Sequence, residues 1–508
     1  MNKGHTIILT LTLTLFAASA AWGQDNSGQQ SGGATPDSNP QQPVPAFGQE
    51  NPAPPNDENP PISGLDVPNL EPHAAPLSYL QAGAHVSESV DSNIENALGG
   101  SNLNTITRAL GSLQLERLWS NYDLALDYLG GVGYYNVSNI GFEQIEEMGL
   151  DQKVTWKRGQ LGIRDSFSYQ PEGTFGGSYG SVGTTGAALG GQSAFFGGIG
   201  LGDLSQVPRI MNLTLLDVVE NLTPRSSVTL TGGYGFIHFL ENNPSTGNSF
   251  IGNTQISGQA GYDVLLGPRD QGALVYGYQE FRFSAGISFY SQVIQLMWGH
   301  RISGRMDFLI GAGPQFTQIN HLLTPVSAPT SADTIPPCVL GAGLSLECPT
   351  NDLRVSAAGR ASLRYRFPEV SLDLSYDHYI TSGSGFFAGA ESDVATLHAS
   401  RPLGRVWGVY SDLGYTRDSR VLPLTCPLGS SAISCPGVSA DTYQYGFAGL
   451  GVHRMLGRHF HVFASYQFND LDFDNSYCQT TPGPCSRIST RHVGTIGLDW
   501  TPRPIRLD

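Results

Sequence analysis

Residues 370–379 read VSLDLSYDHY, and this stretch shows the pattern that decides the fold. From Val370 to Asp377, apolar and polar residues alternate strictly. Because successive side chains of a β-strand point to opposite faces, a period of two predicts a strand with one apolar and one polar face. Residues 160–169 and 460–469 show much the same alternation. The sequence therefore predicts two-faced strands.

The segment before this stretch supports a hairpin. Residues 354–366 also alternate, with the arginines on one face and the apolar residues on the other. A turn at Phe367 and Pro368 pairs Arg364 with Ser371 and places apolar residues opposite apolar ones, as a correct register requires.

The connections between such segments are of two kinds, short and long, which alternate along the chain. Short turns are predicted near Ser120–Asn121, Arg158–Gly159, Thr223–Pro224, Gly267–Pro268, Ser303–Gly304, Phe367–Pro368, Leu403–Gly404 and Gly457. Long Gly/Ser/Pro-rich loops are predicted at 137–149, 171–208, 320–352, 419–440 and 475–487. This alternation is typical of an all-β fold, a transmembrane antiparallel up-and-down β-barrel of about 18 strands with its short turns in the periplasm. The first strand is expected near 77–90 and the last near 488–500. Sixteen strands is the alternative, because 77–90 and 209–221 are weakly patterned.

The N-terminus predicts export. Lys3 precedes an apolar run at 7–18, and small residues at Ala21 and Gly23 suit cleavage before Gln24, so residues 1–23 read as a signal peptide. Residues 24–75 are rich in proline and acidic residues and contain no Lys or Arg, which predicts a disordered periplasmic linker. Residues 76–508 are assigned to the barrel. No later run is apolar enough for a transmembrane helix.

The composition fits this assignment. Only 14% of the residues are charged, while 63 are Gly, 21 Tyr and 23 Phe. A water-soluble surface usually carries more charge, whereas strands between lipid and water need little. Outside the signal peptide and the linker, 26 basic and 36 acidic residues give a net charge of −10, which argues against nucleic acid as a partner and is compatible with a cation preference in a lumen.

The six cysteines fall into three local pairs, each within a predicted long loop: Cys338/Cys348, Cys426/Cys435 and Cys478/Cys485. In an exported protein such pairs predict disulfides. Their spacing does not suit a zinc site. Pairing between loops stays open.

Aromatic and charged residues suggest how the barrel meets lipid and water. Four tryptophans lie beside predicted periplasmic turns or the C-terminus: Trp119, Trp156, Trp407 and Trp500. Amphipathic rings favour the membrane interface, so an aromatic girdle is expected. Five charged residues share the polar face of the hairpin, namely Arg360, Arg364, Arg366, Asp373 and Asp377. Charges facing lipid are costly, so these five should face the lumen, where they either set charge selectivity or brace the wall.

Catalytic motifs are weak. Ser178 lies in a G-x-S-x-G match, but without the strand–turn–helix context of a hydrolase. His459 and His461 could form a metal pair, although ordinary polar roles are the simpler interpretation. No cofactor, metal or enzyme activity is expected from these motifs. A hydrolase site assembled from separate strands would leave no trace in the linear sequence.

Two segments carry a resemblance. Residues 77–93 (LSYLQAGAHVSESVDSN) and 223–234 (TPRSSVTLTGGY) resemble strands of outer-membrane β-barrel porin-like families of Gram-negative bacteria. The resemblance implies a pore in the outer membrane. Many such barrels end on an aromatic residue as an assembly signal, and Trp500 is the candidate for it here.

The leading hypothesis is a porin-like channel for passive passage of small solutes or export of envelope polysaccharide, with loop 171–208 as a possible constriction. A structural or adhesive barrel with stapled loops is the alternative, followed by a barrel-embedded hydrolase. The expected partners are outer-membrane lipid, the barrel-assembly machinery and the solute or polysaccharide. The oligomeric state stays open.

Overall fold

The computed structural model describes residues 60–66, 78–94, 98–100, 102–136, 141–171, 208–240, 250–284, 288–323, 339–340, 346–367, 369–383, 385–421, 440–479 and 485–507. The strands of its first half are β1 (Tyr79–Asp91), β2 (Asn104–Leu118), β3 (Tyr122–Tyr135), β4 (Gly141–Trp156), β5 (Gly159–Gln170), β6 (Arg209–Thr223), β7 (Ser226–Phe239), β8 (Asn253–Leu265), β9 (Asp270–Phe283) and β10 (Ser288–Ser303). Those of its second half are β11 (Met306–Leu323), β12 (Val339–Leu340), β13 (Leu346–Arg366), β14 (Ser371–Thr381), β15 (Ala390–Leu403), β16 (Trp407–Arg420), β17 (Thr442–Leu456), β18 (Phe460–Phe473), β19 (Ile488–Trp500) and β20 (Ile505–Arg506). A short helix, α1 (Ser476–Gln479), follows β18. No helix among the described residues is long and apolar enough to cross a membrane.

Eighteen of the described strands close into one antiparallel barrel, which confirms the predicted fold. Each long strand pairs with the next one, β11 pairs directly with β13, and β19 returns to pair with β1. The short strands β12 and β20 extend this wall by pairing with β13 and β1. Both weakly patterned segments form strands, β1 and β6, so the 16-strand alternative is wrong.

The predicted hairpin exists, but its register differs by two residues. Arg364 pairs with Asp373, and not with Ser371 as predicted. The turn lies one residue further along the chain than predicted, because Phe367 and Val370 exchange backbone hydrogen bonds across it. Since side chains alternate with a period of two, a shift by two leaves every residue on its predicted face.

The short turns lie where the sequence predicts them, but two long loops are shorter than predicted. Residues 141–149 belong to β4, and β13 already begins at Leu346. Cys348 therefore lies in a strand, where its backbone pairs with Leu323, and not in a loop. Strands that extend beyond the bilayer have water on both faces, so they lose the apolar alternation that identifies a strand.

The barrel wall has a polar inner face and an apolar outer face, the reverse of the arrangement in a water-soluble protein. On β8 the inward Gln255, Ser257 and Asp263 are buried, while the outward Ile256 and Tyr262 are exposed. The outer face of the described strands carries many exposed large apolar residues, such as Leu230, Leu274, Leu296, Leu413, Leu450 and Ile496. A closed sheet with an apolar outside and a polar inside is a transmembrane barrel, and its short turns and both ends of the barrel chain lie at one rim. The protein is therefore an outer-membrane β-barrel.

An aromatic cluster fills the lumen at the rim that carries the long loops. Residues 385–389, named here the mouth loop, fold inward after β14 and bury Phe386 and Phe387. The two rings pack with side chains of β17 and β18, including Tyr443, Tyr445, Phe447, Leu471 and Phe473. The backbone of Ile251 donates a hydrogen bond to the carbonyl of Gly385 at 2.9 Å, which ties the loop to the chain before β8. The mouth loop thus reaches across the lumen.

The lipid-facing wall generates a first prediction. Leu296 is 70% exposed in the middle of β10, whereas Leu456 is 43% exposed at the short-turn end of β17. Leu296→Arg should lower the free energy of unfolding by about 2–4 kcal/mol, and Leu456→Arg by about 0–1 kcal/mol, because the cost of a charge falls towards the interface. Guanidinium unfolding in lipid vesicles measures both values. Equal costs would contradict this placement of the bilayer.

The mouth loop generates a second prediction. Gly389 has φ +90°, and an added Cβ would lie 2.4 Å from Cε1 of Phe289, whereas Gly404 has φ +74° with no atom within 4 Å. Gly404→Ala should cost about 1–2 kcal/mol through its backbone alone. Gly389→Ala should cost about 1–3 kcal/mol more, because the methyl group also clashes with a packed ring. The same unfolding assay tests the difference, and identical losses would show that the mouth loop is not packed against Phe289.

Candidate functional site: the barrel lumen

Ion pairs line the inner wall where β11, β13 and β14 meet. Arg366 donates to Asp373 at 2.6 Å, and Arg364 donates to Asp307 on β11 at 2.5 Å. Arg360 is directly opposite Asp377, and both are buried. The structure thus places all five sequence-selected charges on the inward face of the hairpin. It also adds Asp307, which lies 57 residues from its partner in sequence.

A second ion pair bridges the seam between the first and last long strands. Arg491 on β19 donates through Nε to Asp91 on β1 at 2.7 Å, and both side chains are almost fully buried. The two residues are 400 positions apart. A local pattern search cannot join them, and only closure of the barrel brings them together.

The accessible part of the lumen wall lies along β14 and β15. Arg366 and Asp373 are 28% and 29% exposed, and the inward His398 on β15 is 43% exposed. By contrast, inward residues of β9 to β11 such as Gln279 and Ser291 are completely covered. Water therefore reaches one sector of the wall and is excluded from another.

Residues 60–66, named here the N-terminal turn, lie inside the barrel. They belong to the segment predicted as a disordered linker, and the remainder of that segment lies outside the described residues. Gly64 closes the turn by donating its backbone N–H to the carbonyl of Pro61 at 3.1 Å. Ser63 is fully buried, its backbone N–H donates to Oδ1 of Asp263 at 3.1 Å, and its carbonyl accepts from Gln259 at 2.6 Å.

Apolar contacts also hold the N-terminal turn. Leu65 is buried in a cluster drawn from β6, β10, β13 and β14, with Leu213, Leu215, Val293, Ala358 and Tyr379. Ile62 packs against Ala273, Val275 and Met297. Apolar residues on the inward face of β6 explain why that strand is weakly patterned: both of its faces are partly apolar.

The last residue of the turn, Asp66, is surrounded by cationic and amide donors. Lys153 on β4 donates to Oδ2 at 3.1 Å, Gln160 on β5 donates to the same oxygen at 2.5 Å, and Arg164 donates to Oδ1. Asp66 lies outside the membrane-spanning strands. Burial raises the pKa of its carboxyl group, but the charges of Arg164 and Lys153 outweigh burial and lower that pKa to about 2. Asp66 is therefore ionised at neutral pH.

The cysteines and tryptophans can be placed in part. Cys478 and Cys485 form a disulfide, with their Cα atoms 5.6 Å apart beside α1. Cys338, Cys426, Cys435 and the side chain of Cys348 lie outside the described residues.

The four tryptophans selected from the sequence are exposed at the short-turn rim, where Arg117 lies 5.2 Å from the ring centre of Trp119 and Arg454 lies 5.0 Å from that of Trp407. Trp298, on the lipid face of β10, was missed because it lies inside a strand.

The weak catalytic and metal motifs gain no support. His459 lies in a turn and contacts the carbonyl of Thr501 at 3.2 Å, whereas His461 is on the inner face of β18. Within the described ranges, no group of three or more His, Cys, Asp or Glu residues could hold a metal ion. Ser178 and loop 171–208 fall outside those ranges, except for residues 171 and 208.

Comparisons with known proteins identify similar folds only. No family model and no curated protein matches the sequence. Among solved structures, OccK2 (OpdF) of Pseudomonas aeruginosa is similar at 10% identity and a TM-score of 0.36, covering 83% of this chain and 98% of that one. OccAB2 of Acinetobacter baumannii is similar at 7% identity and a TM-score of 0.39, covering 84% and 98%. The ferric-catecholate import receptor Fiu of E. coli K12, in its open form, is similar at 8% identity and a TM-score of 0.36, covering 83% and 81%.

Proposed function

We propose that this protein is a porin-like channel through which small hydrophilic solutes cross the outer membrane passively. The observation that carries the proposal is the accessible charged sector of the inner wall, formed by Arg366, Asp373 and His398, behind an apolar outer face. A barrel of this strand number encloses an aqueous lumen unless other parts of the protein fill it. Binding and positioning of ions by such a wall requires no catalysis, so we propose no enzyme activity.

Two elements narrow the lumen and make the channel selective. The N-terminal turn covers part of the wall at the short-turn end, and the mouth loop with its aromatic cluster covers the opposite end. Passage of a bulky polysaccharide requires both to move, so we favour small solutes over polysaccharide export. Burial of Phe386 and Phe387 also supports the second candidate, a closed structural or adhesive barrel.

The route to the membrane is part of the proposal. Residues 1–23 direct export as a cleaved signal peptide, and the barrel-assembly machinery inserts the chain, with Trp500 near the end of β19 as the recognised aromatic residue. The residues of 24–75 outside the N-terminal turn serve as a periplasmic linker.

Charge selectivity provides the main test. In planar bilayers under a salt gradient, the refolded and oxidised protein should give stepwise currents with a cation preference. Asp373→Asn should shift the cation/anion permeability ratio towards anions by about twofold, because a negative charge is removed from the lumen wall, and Arg366→Gln should shift it about as far towards cations. The reversal potential measures both shifts.

Glu369→Gln is the matched control, since Glu369 is highly exposed in the turn between β13 and β14 and its loss changes the charge by the same amount. Its reversal potential should stay at the wild-type value. Unchanged reversal potentials in both Asp373→Asn and Arg366→Gln would place both groups outside the ion path.

The mouth loop gives an independent prediction. Replacing Phe386 and Phe387 together by alanine should raise single-channel conductance by about twofold or more, because large rings then no longer fill the outer end. Phe316→Ala on the lipid face is the control and should leave conductance unchanged. If both the wild type and the double variant are silent, although heat-modifiable migration shows folded barrels, the protein is a closed structural barrel and no channel.

A further inference from the structure

The carboxylate of Asp66 is bound as a ligand would be bound. Each of its oxygens has its own donors from the wall: Arg164 serves Oδ1, while Lys153 and Gln160 serve Oδ2. Two cations and one amide thus converge on a planar group with two acceptor oxygens. Charge-assisted hydrogen bonds of this kind are the strongest that proteins offer to a carboxylate.

The binding groups and the bound group belong to different parts of the chain. Lys153, Gln160 and Arg164 project from β4 and β5 of the barrel wall, whereas Asp66 ends a segment that is no part of the wall. Asp151 also contacts Arg164, with its Oδ2 3.4 Å from Nε of Arg164. If Asp66 leaves, the three donors that converge on its carboxylate lose that acceptor. Loss of an acceptor by partly buried donors is costly, so the empty site favours another carboxylate.

The attachment of the N-terminal turn is noncovalent. Its anchors are the Ser63 contacts with Asp263 and Gln259, the burial of Leu65, and the Asp66 site itself. A tethered ligand held by such contacts exchanges with a free ligand in proportion to concentration and affinity. The site is therefore open to competition from a solute that carries the same chemical group.

We propose that Lys153, Gln160 and Arg164 form a binding site for the carboxylate of a small organic acid, and that Asp66 occupies this site as a tethered competitor. The inference rests on the proposed channel function and names the class of solute that the channel takes. A solute carboxylate displaces Asp66, and with it the N-terminal turn, from the wall. The channel thus opens in response to its own solute.

Succinate binding to the full-length, folded protein in detergent micelles tests the proposal, with isothermal titration calorimetry as the readout. Asp66→Asn removes the competing charge and should tighten succinate binding by at least about tenfold, because a tethered group competes at millimolar effective concentration or higher. Succinamide, which is neutral and of similar size, should bind neither protein. Arg164→Gln combined with Asp66→Asn should abolish the gain.

Glu369→Gln is the matched control, because it removes one negative charge from the exposed turn between β13 and β14, outside the site. Its succinate affinity should stay within about twofold of the wild-type value. Heat-modifiable migration establishes that each variant is folded, and Lys153→Met on the Asp66→Asn background replaces the arginine variant if that one does not fold. Equal succinate affinity in wild type and Asp66→Asn, or an equal gain in Glu369→Gln, overturns the proposal.

The calorimetric result does not depend on ion flow. If succinate binding follows the expected pattern but the protein is silent in bilayers, the carboxylate site stands and the channel proposal fails. If currents are present but succinate affinity is the same in wild type and Asp66→Asn, the channel proposal stands and the proposal of a tethered competitor is wrong.

Discussion

Inside a bilayer no water is available to the backbone, so each peptide group of a spanning strand must find its partner on a neighbouring strand. The pairing of β19 with β1 meets this requirement for the two strands that would otherwise be edges. All other features of the molecule depend on this closure. Closure creates an enclosed lumen. Within this lumen Arg364 pairs with Asp307, Asp91 is buried, and the turn that precedes the first strand is enclosed.

The sequence predicted the wall well because the physics of the wall is local. Alternation of two residue classes along one strand is enough to place Arg360 and Asp377 on the inner face, and a register error of two residues did no harm to that placement. Where strands leave the bilayer, as in residues 141–149, the alternation disappears. These residues were therefore predicted as a loop and not as a strand. Strand β6 was hard to recognise for the opposite reason, since Leu213 and Leu215 make its inner face apolar as well.

The contents of the lumen were beyond the sequence. Phe386 and Phe387 lie among glycines in a loop. This pattern predicts a buried aromatic cluster only if the neighbouring strands β17 and β18 are already known. Asp66 meets Lys153 across 87 residues and Arg164 across 98. No periodicity links such positions, because their meeting depends on the course of a segment through a cavity and not on strand geometry. The proline-rich composition of the segment also gave no indication that the side chain of Leu65 would be buried.

The buried pair of Arg491 and Asp91 has a consequence for the diameter of the barrel. The diameter of a barrel follows from its strand number together with its shear, the stagger accumulated around the ring, and the shear is settled at the last seam to form. A slip of the final strand by two residues would preserve every inward and outward face, so alternation alone does not reject it. A slip that places Asp91 opposite Thr495 would, however, move Arg491 away from Asp91 and leave a buried carboxylate without its cation. The ion pair at the seam therefore opposes one direction of slip, and with it one change in the diameter of the barrel.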